Sequence, residues 1–373
     1  MKIAYIDFYG FSKTDKASSG VERKITAQIK ALSTLGEVDR HSYDTHTQSR
    51  LLRYVRMITR RLPFLPSKIA YKCDASYQGV DTLYFRRTTL DSYAIRFFRD
   101  FKRQNPNGKV IMEIPTYPYD KEMANLIEFP RLLKDIWNRK KLKRYVDRIV
   151  TFSEDKEIFG IPTIRTMNGL DFASVKIKDV TTPSDDTIQA VMVANFAPWH
   201  GLDRLIEGLH RYYLEGGMRN IILHIVGDGV VVEKEKRLIM GTPLENKVVF
   251  HGRLSLDEMA HIYDLVTLAI DTCNDEYQGV LLSSSLKTRE YTAKGLPVVG
   301  AMEIDLMRYM QDFFLILKGK DYIDINEVIK FHDNVYQRKE DYLTVPKIIR
   351  DRAQSLCDMQ VTMKPILDFL ISE

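Results

Sequence analysis

Short apolar runs recur along this chain, and nearly every one leads through a loop into a segment with helical spacing. Lys2–Ile6, Asp81–Phe85, Gly108–Ile114 and Arg148–Phe152 read as strands in the first half, and Ile188–Ala194, Ile221–Val226, Lys247–Phe250 and Leu265–Ile270 in the second. Expected helices lie over Val21–Leu35, Asp91–Gln104, Arg131–Asp147, Gly201–Tyr213, Glu233–Met240 and Ser255–Tyr263. Such alternation builds parallel sheets, because a parallel return needs a long crossover, usually a helix. The pattern pauses at the polar stretch 176–186 and then restarts. At 373 residues the chain is too long for one typical core. The expectation is an α/β protein of two Rossmann-like parallel-sheet domains facing a cleft, over residues 1–175 and 176–350. A C-terminal helix at about 350–373 is expected to pack back on the first domain.

Charge is unevenly shared. Residues 1–170 hold 32 Lys and Arg against 19 Asp and Glu, a net of +13, while the remainder carries a net of −8. The first half is therefore expected to meet something anionic. Two basic stretches account for this, Arg53–Arg61 with Lys68 and Lys72, and Arg139–Arg144 in a helix that also carries Leu132, Leu133, Ile136 and Tyr145. Interleaved basic and apolar residues suit an anionic membrane surface. No nucleic-acid motif accompanies them, so nucleic acid is not an expected partner. The first strand starts at Lys2, with no signal-peptide pattern, and no apolar run approaches the roughly 20 residues of a membrane span. Cys73, Cys273 and Cys357 form neither a disulfide framework nor a metal spacing. A cytoplasmic protein, at most peripheral at the inner face of the membrane, with no metal and no cofactor, is the expectation.

The densest chemistry lies in 283–299. After an expected strand, Ser283, Ser284 and Ser285 can cap a helix that Gly295 ends, and Pro297 opens the next strand. A helix N-terminus with Lys287 and Arg289 in its first turns is an anion site, to which Ser284 and Ser285 add donors. Glu290, three residues after Lys287, can share its face. A cation for phosphate beside a carboxylate for paired hydroxyls suits a sugar nucleotide, although an ordinary solvated helix would carry similar charges. Gly227 and Asp228 follow a strand, where ligands of parallel sheets sit.

Taken together, these segments resemble the GT-B glycosyltransferases of family 4, the group 1 type. The resemblance rests on Gly20-Val21-Glu22-Arg23, Asn168-Gly169-Leu170-Asp171, Trp199 to Ile206, Ile225 to Gly229, Val249 to Arg253 and Lys287 to Val299. It implies a retaining glycosyltransferase, moving a sugar from a nucleoside diphosphate sugar to an acceptor hydroxyl in bacterial cell-surface glycan synthesis. The donor would meet the second domain and a carbohydrate or lipid-linked glycan acceptor the first. Lys287 and Glu290 would be catalytic, with Thr116 on the acceptor side of the loop 113–120, where the family often has a histidine. Gly20, Asn195, His200, Gly227, Asp228, Arg253, Leu254, Ser284, Ser285, Arg289 and Glu290 would line the nucleotide sugar.

The chain also departs from the pattern. The first of two glutamates spaced eight apart falls on Leu282, and the family's Arg and Lys near the start of the second domain appear as Asn195 and His200. These changes keep two other readings open, a non-catalytic sugar-nucleotide-binding subunit and an epimerase on the same fold.

Overall fold

The computed structural model describes residues 1–8, 20–43, 58–59, 62, 72–124, 126–183, 185–275, 279–280 and 282–372. The chain forms two compact units. One comprises Met1–Met167, Gln278–Val280 and Thr362–Glu373, the other Asn168–Tyr277 and Leu281–Val361. The division falls at 167/168, eight residues before the expected 175/176.

The first unit holds strands β1 (Lys2–Asp7), β2 (Glu37–Ser42), β3 (Thr82–Arg86), β4 (Lys109–Ile114), β5 (Arg148–Thr151), β6 (Glu157–Ile158) and β7 (Ile161–Arg165), with helices α1 (Gly20–Leu32), α2 (Ser92–Gln104) and α3 (Phe129–Arg139). The sheet order is β2-β1-β3-β4-β5-β7-β6, parallel except for the β6/β7 hairpin. The central strands β3, β4 and β5 are buried almost throughout, as expected where helices cover both faces of such a sheet. Edge strand β2 has no such signature. Its Glu-Val-Asp-Arg-His-Ser sequence is polar and only partly buried, so no strand was expected there. Gly160-Ile161-Pro162 reads as a turn in the sequence, and the tip of the β6/β7 hairpin lies there, with Phe159 and Gly160 at φ 55° and 77°.

The helix expected to reach Asp147 stops at Arg139, and a single 3₁₀ turn, Leu142–Arg144, follows. A continuous helix would set Lys140 against Lys143 and Arg144, and Lys141 against Arg144, at spacings where like charges repel.

The second unit contributes β8 (Ile188–Val193), α4 (Leu202–Leu214), β9 (Ile221–Val226), α5 (Val232–Ile239), β10 (Val248–Gly252), α6 (Leu256–Leu265), β11 (Leu268–Ile270), β12 (Leu282–Ser283), α7 (Leu286–Lys294), β13 (Val298–Gly300), β14 (Glu303–Ile304), β15 (Phe314–Ile316) and α8 (Ile325–Val335). Its six-stranded sheet is parallel in the order β10-β9-β8-β11-β13-β15, and β12 pairs with β14 apart from it. The order reverses beside β8: β9 lies on one side and β11 on the other. Ligands of open parallel sheets bind at the carboxyl ends of strands flanking such a reversal.

The chain ends in two helices rather than one, α9 (Asp341–Cys357) and α10 (Met359–Ile371). Leu170 interrupts them, donating its N–H to Cys357 O at 3.0 Å and accepting from Met359 N at 2.8 Å. From Thr362 onward α10 belongs to the first unit, where Lys109 Nζ donates to the carbonyls of Phe369 and Leu370 at 3.1 Å. A cation at helix-terminal carbonyls is favoured by both hydrogen bonding and the helix dipole.

Candidate active site in the second unit

The reversal point is built from the loop after β8, the glycine turn after β9, the residues after β11 and the N-terminus of α7. The turn after β9 accepts only glycine at two positions. A Cβ on Gly227 would lie 1.9 Å from Ala194 O, and one on Gly229 would lie 1.8 Å from Phe196 O. This close approach lets Phe196 donate its N–H to Asp228 O at 2.6 Å, joining the loops after β8 and β9. Gly227 N in turn donates to Gly252 O at 2.7 Å, bringing the end of β10 alongside. Arg253 and Asp228 pair there at 3.0 Å, both well exposed. Leu254 is half-buried beside Arg253, and Asn195 is exposed in the β8 loop.

The chemical centre is Asp271, the first residue after β11, which is 2 % exposed. Its carboxylate accepts from Thr288 Oγ1 at 2.5 Å, Ser285 Oγ at 3.2 Å and its neighbour's N–H, Thr272 N, at 2.7 Å. Lys287 Nζ lies 2.7 Å from it and donates to Thr272 Oγ1 at 3.1 Å. Burial opposes ionisation of Asp271, but Lys287 and the hydroxyl donors outweigh it and hold the carboxyl below its usual range. Asp271 thereby pins the first turn of α7 and fixes where Lys287 stands. Ser285 is the N-cap, accepting from Thr288 N at 3.2 Å, and Gly295 closes the helix at φ 85°, as its sequence predicts.

His200, in the loop after β8, accepts from Ala197 N at Nδ1, 3.0 Å away. Burial, and then the charge of Lys287, push its pKa down to about 4. The imidazole is therefore neutral at physiological pH, with its proton on Nε2. Where the family pattern has a cation, this chain has an uncharged donor. Its main chain holds the site together as well, since Cys273 donates to His200 O at 2.8 Å. Glu290 is half-buried, and Tyr263 OH donates to its Oε1 at 3.4 Å.

Several expected ligand residues have other work. Arg289 is fully buried. It donates to Asn168 O at 2.9 Å and Ser284 Oγ at 3.0 Å, and pairs with Asp305. A guanidinium so enclosed cannot serve a diphosphate. Ser284 is likewise occupied, donating to Asp305 Oδ2 at 2.6 Å and accepting from Asn168 N at 2.9 Å. Together they tie Asn168 to α7. The hydroxyl of Ser285 is spent on the cap and on Asp271. The remaining cations of the expected set are Lys287, 17 % exposed, and Arg253.

Gly20 opens α1 and Thr116 is half-buried in the loop after β4, both in the first unit. Glu113 in that loop's approach is fully buried and bonded to four side chains, so it cannot face an acceptor. Leu282 lies in β12, and Glu276, the nearest acid upstream of it and too distant to take the missing glutamate's place, is outside the described residues. Sequence reading passed over Asp271 and Asp305. Asp271 is the first polar residue after the apolar strand ending at Ile270, and that position was the available signal; the Glu303–Ile304 strand before Asp305 carries no such signal.

A separate cavity of about 420 Å³ opens between α4 and α5. Its lining sets Asp203, Glu207, Glu235 and Asp321 against Arg204 and Lys234, a net negative balance that disfavours a diphosphate.

Comparison with known proteins agrees with this fold. Residues 175–330 match the family described as glycosyl transferases group 1. Among solved structures, sucrose-phosphate synthase from Thermosynechococcus elongatus superposes with a TM-score of 0.65 at 14% identity, covering 99% of this chain and 98% of that one. Anabaena HepE with UDP and glucose gives 0.63 at 15% identity over 99% of both chains. The lipopolysaccharide outer core galactosyltransferase WaaB gives 0.54 at 15% identity over 99% and 98%. At these identities the likeness establishes the fold. No sequence among curated proteins matches.

Proposed function

From the premise that this chain is a group 1 glycosyltransferase of the GT-B fold, we propose that its second unit binds a nucleoside diphosphate sugar with Lys287 against the diphosphate and Glu290 against the ribose. The observation that carries this reading is the Asp271–Lys287 pair at the strand-order reversal, where a largely buried but solvent-accessible cation is held at a helix N-terminus. Transfer requires stabilising the diphosphate as it leaves an oxocarbenium-like sugar. Amide groups in the first turn of α7, the positive end of its dipole, Lys287 Nζ and His200 Nε2–H are preorganised donors for that growing charge. The base lies against Arg253 and Leu254, and the glycine turn at Gly227 leaves room for the nucleotide.

HepE is solved with UDP and glucose, which supports UDP as the donor nucleotide. A retaining outcome and a glycan acceptor on the first unit, near Thr116 and Tyr117, complete the reading. The similarity to a lipopolysaccharide core galactosyltransferase supports a place in bacterial cell-surface glycan synthesis.

A thermal-shift panel of nucleoside diphosphate sugars tests the donor, since a ligand binding only the folded state raises its melting temperature. Release of nucleoside diphosphate on adding a glycan acceptor then tests transfer. Leu282, in place of the family's first glutamate, favours a second reading as a binding subunit. Stabilisation by a donor without release over a broad acceptor panel would select it.

A further inference from the structure

Helix α3 presents an apolar face to solvent. Phe129, Leu133 and Trp137 recur every fourth residue and are 47%, 47% and 71% exposed. Leu126 and Ile127, just before the helix, are 96% and 58% exposed. Side chains four apart share one helix face, so these residues make a continuous stripe. The opposite face is already satisfied, with Leu132 and Asp135 buried. Soluble surfaces rarely gather large apolar side chains in this way without a partner.

The character of that partner follows from the charge at the stripe's end. Lys140, Lys141, Lys143 and Arg144 are all exposed directly beyond Arg139. Neighbouring acids are neutralised within the fold. Asp120 takes a two-pronged contact from Arg139 at 2.6 and 3.0 Å, and Glu128 pairs with Arg131 at 3.0 Å. The net field beside Trp137 is thus positive. Among the described residues no helix is long and apolar enough to cross a membrane. An apolar stripe with Trp, ending in four cations, has the makeup of a helix lying in a lipid interface.

We propose that this face docks on an anionic lipid surface, with Leu126, Phe129, Leu133 and Trp137 entering the headgroup region and the 140–144 cluster meeting lipid phosphates. The docking is independent of which donor the second unit takes. It differs from attraction by net charge alone, because it predicts that a tryptophan leaves water.

The test uses the full chain carrying Trp199→Phe, which leaves Trp137 as the sole tryptophan, and phosphatidylcholine vesicles with or without phosphatidylglycerol. With the anionic vesicles, the protein should co-sediment and its emission should shift to the blue. Replacing Lys140, Lys141, Lys143 and Arg144 by Gln should weaken binding by about a hundredfold or more, given the attraction per basic residue near such a surface. Replacing Leu126, Phe129 and Leu133 by Ser should weaken it about tenfold or more with no loss of melting temperature, since exposed side chains leave no cavity. Equal binding to neutral and anionic vesicles, or co-sedimentation with no blue shift, would overturn the proposal. So would a dimer in sedimentation velocity that the serine variant dissociates, with no vesicle binding, since the face would then join two copies of the chain.

Discussion

Each unit places a buried carboxylate beside a lysine at or after the end of a parallel strand, yet the two clusters differ in one decisive respect. In the first unit Glu113 ends up sealed. Lys24 Nζ lies 2.9 Å from it, Arg86 3.0 Å, and Tyr84 and Gln28 each donate at 2.6 Å, with both cations 3% exposed. Burial opposes its ionisation, but Lys24 and Arg86 overcome that and hold the pKa down at about 2. In the second unit Asp271 is as buried, but its partner Lys287 is 17% exposed and rides on a helix N-terminus. A neutralised carboxylate in a sheet protein is therefore no mark of a site by itself. What sets the Asp271 cluster apart is a cation that one carboxylate positions and solvent can still reach.

The sharpest way to break this comparison is to remove both carboxylate partners in turn. Glu113→Ala should destabilise the protein by about 3–5 kcal/mol, because it strands two buried cations. Donor binding by the folded fraction should be unchanged, and denaturant melts with parallel calorimetry check both. A donor affinity that falls with Glu113 would erase the distinction. Next in size, Lys287→Met should lower turnover by about 10²–10³, the effect typical of losing one preorganised charge-stabilising donor. Because it also leaves Asp271 unpaired, Lys287→Met with Asp271→Asn serves as the control. The double variant should recover melting temperature but not turnover.

A smaller effect is expected at the site's edge. Glu290→Gln keeps size and loses a charge-assisted bond worth about 1.5–3 kcal/mol, so donor affinity should fall about tenfold or more without loss of fold. Unchanged nucleotide binding in calorimetry would remove Glu290 from the site. The smallest effect is in pH dependence. The pKa of His200 is lowered to about 4 from an ordinary 6.5, so the unfolded chain binds its proton first. Its contribution is complete above pH 6.5 and is lost as the pH falls toward 4. His200→Gln should flatten the stability–pH curve in that window, whereas Glu113 acts lower, between the ordinary carboxylate range and about pH 2. A slope unaltered by His200→Gln would mean that the folded site leaves the imidazole titrating as it does in the unfolded chain.

Much of this architecture could be read in advance. The capped helix at 286–294 appears with its N-cap Ser285 and left-handed Gly295, because capping depends on a few adjacent residues. Strand Ile221–Val226 appears with its expected bounds for a similar reason, an apolar run closed by a glycine turn. Edge strand β2 escaped because one half-exposed polar strand has no periodic signature, and the break after Arg139 escaped because repulsion among 140–144 acts against a continuing helical pattern.

The sequence by itself determined the two-sheet architecture and the position of the capped helix that carries Lys287 and Glu290, since these rest on local spacing and on short motifs. Tertiary structure decided which charges face solvent. Arg289 and Lys287 are two residues apart on one helix, so the 100° step between residues sends them to different sides: one into Asn168, Ser284 and Asp305, the other toward the strand-order reversal. No local rule separates them, because burial of a guanidinium is set by partners that lie more than a hundred residues away along the chain, at Asn168, and become neighbours only when the sheet closes.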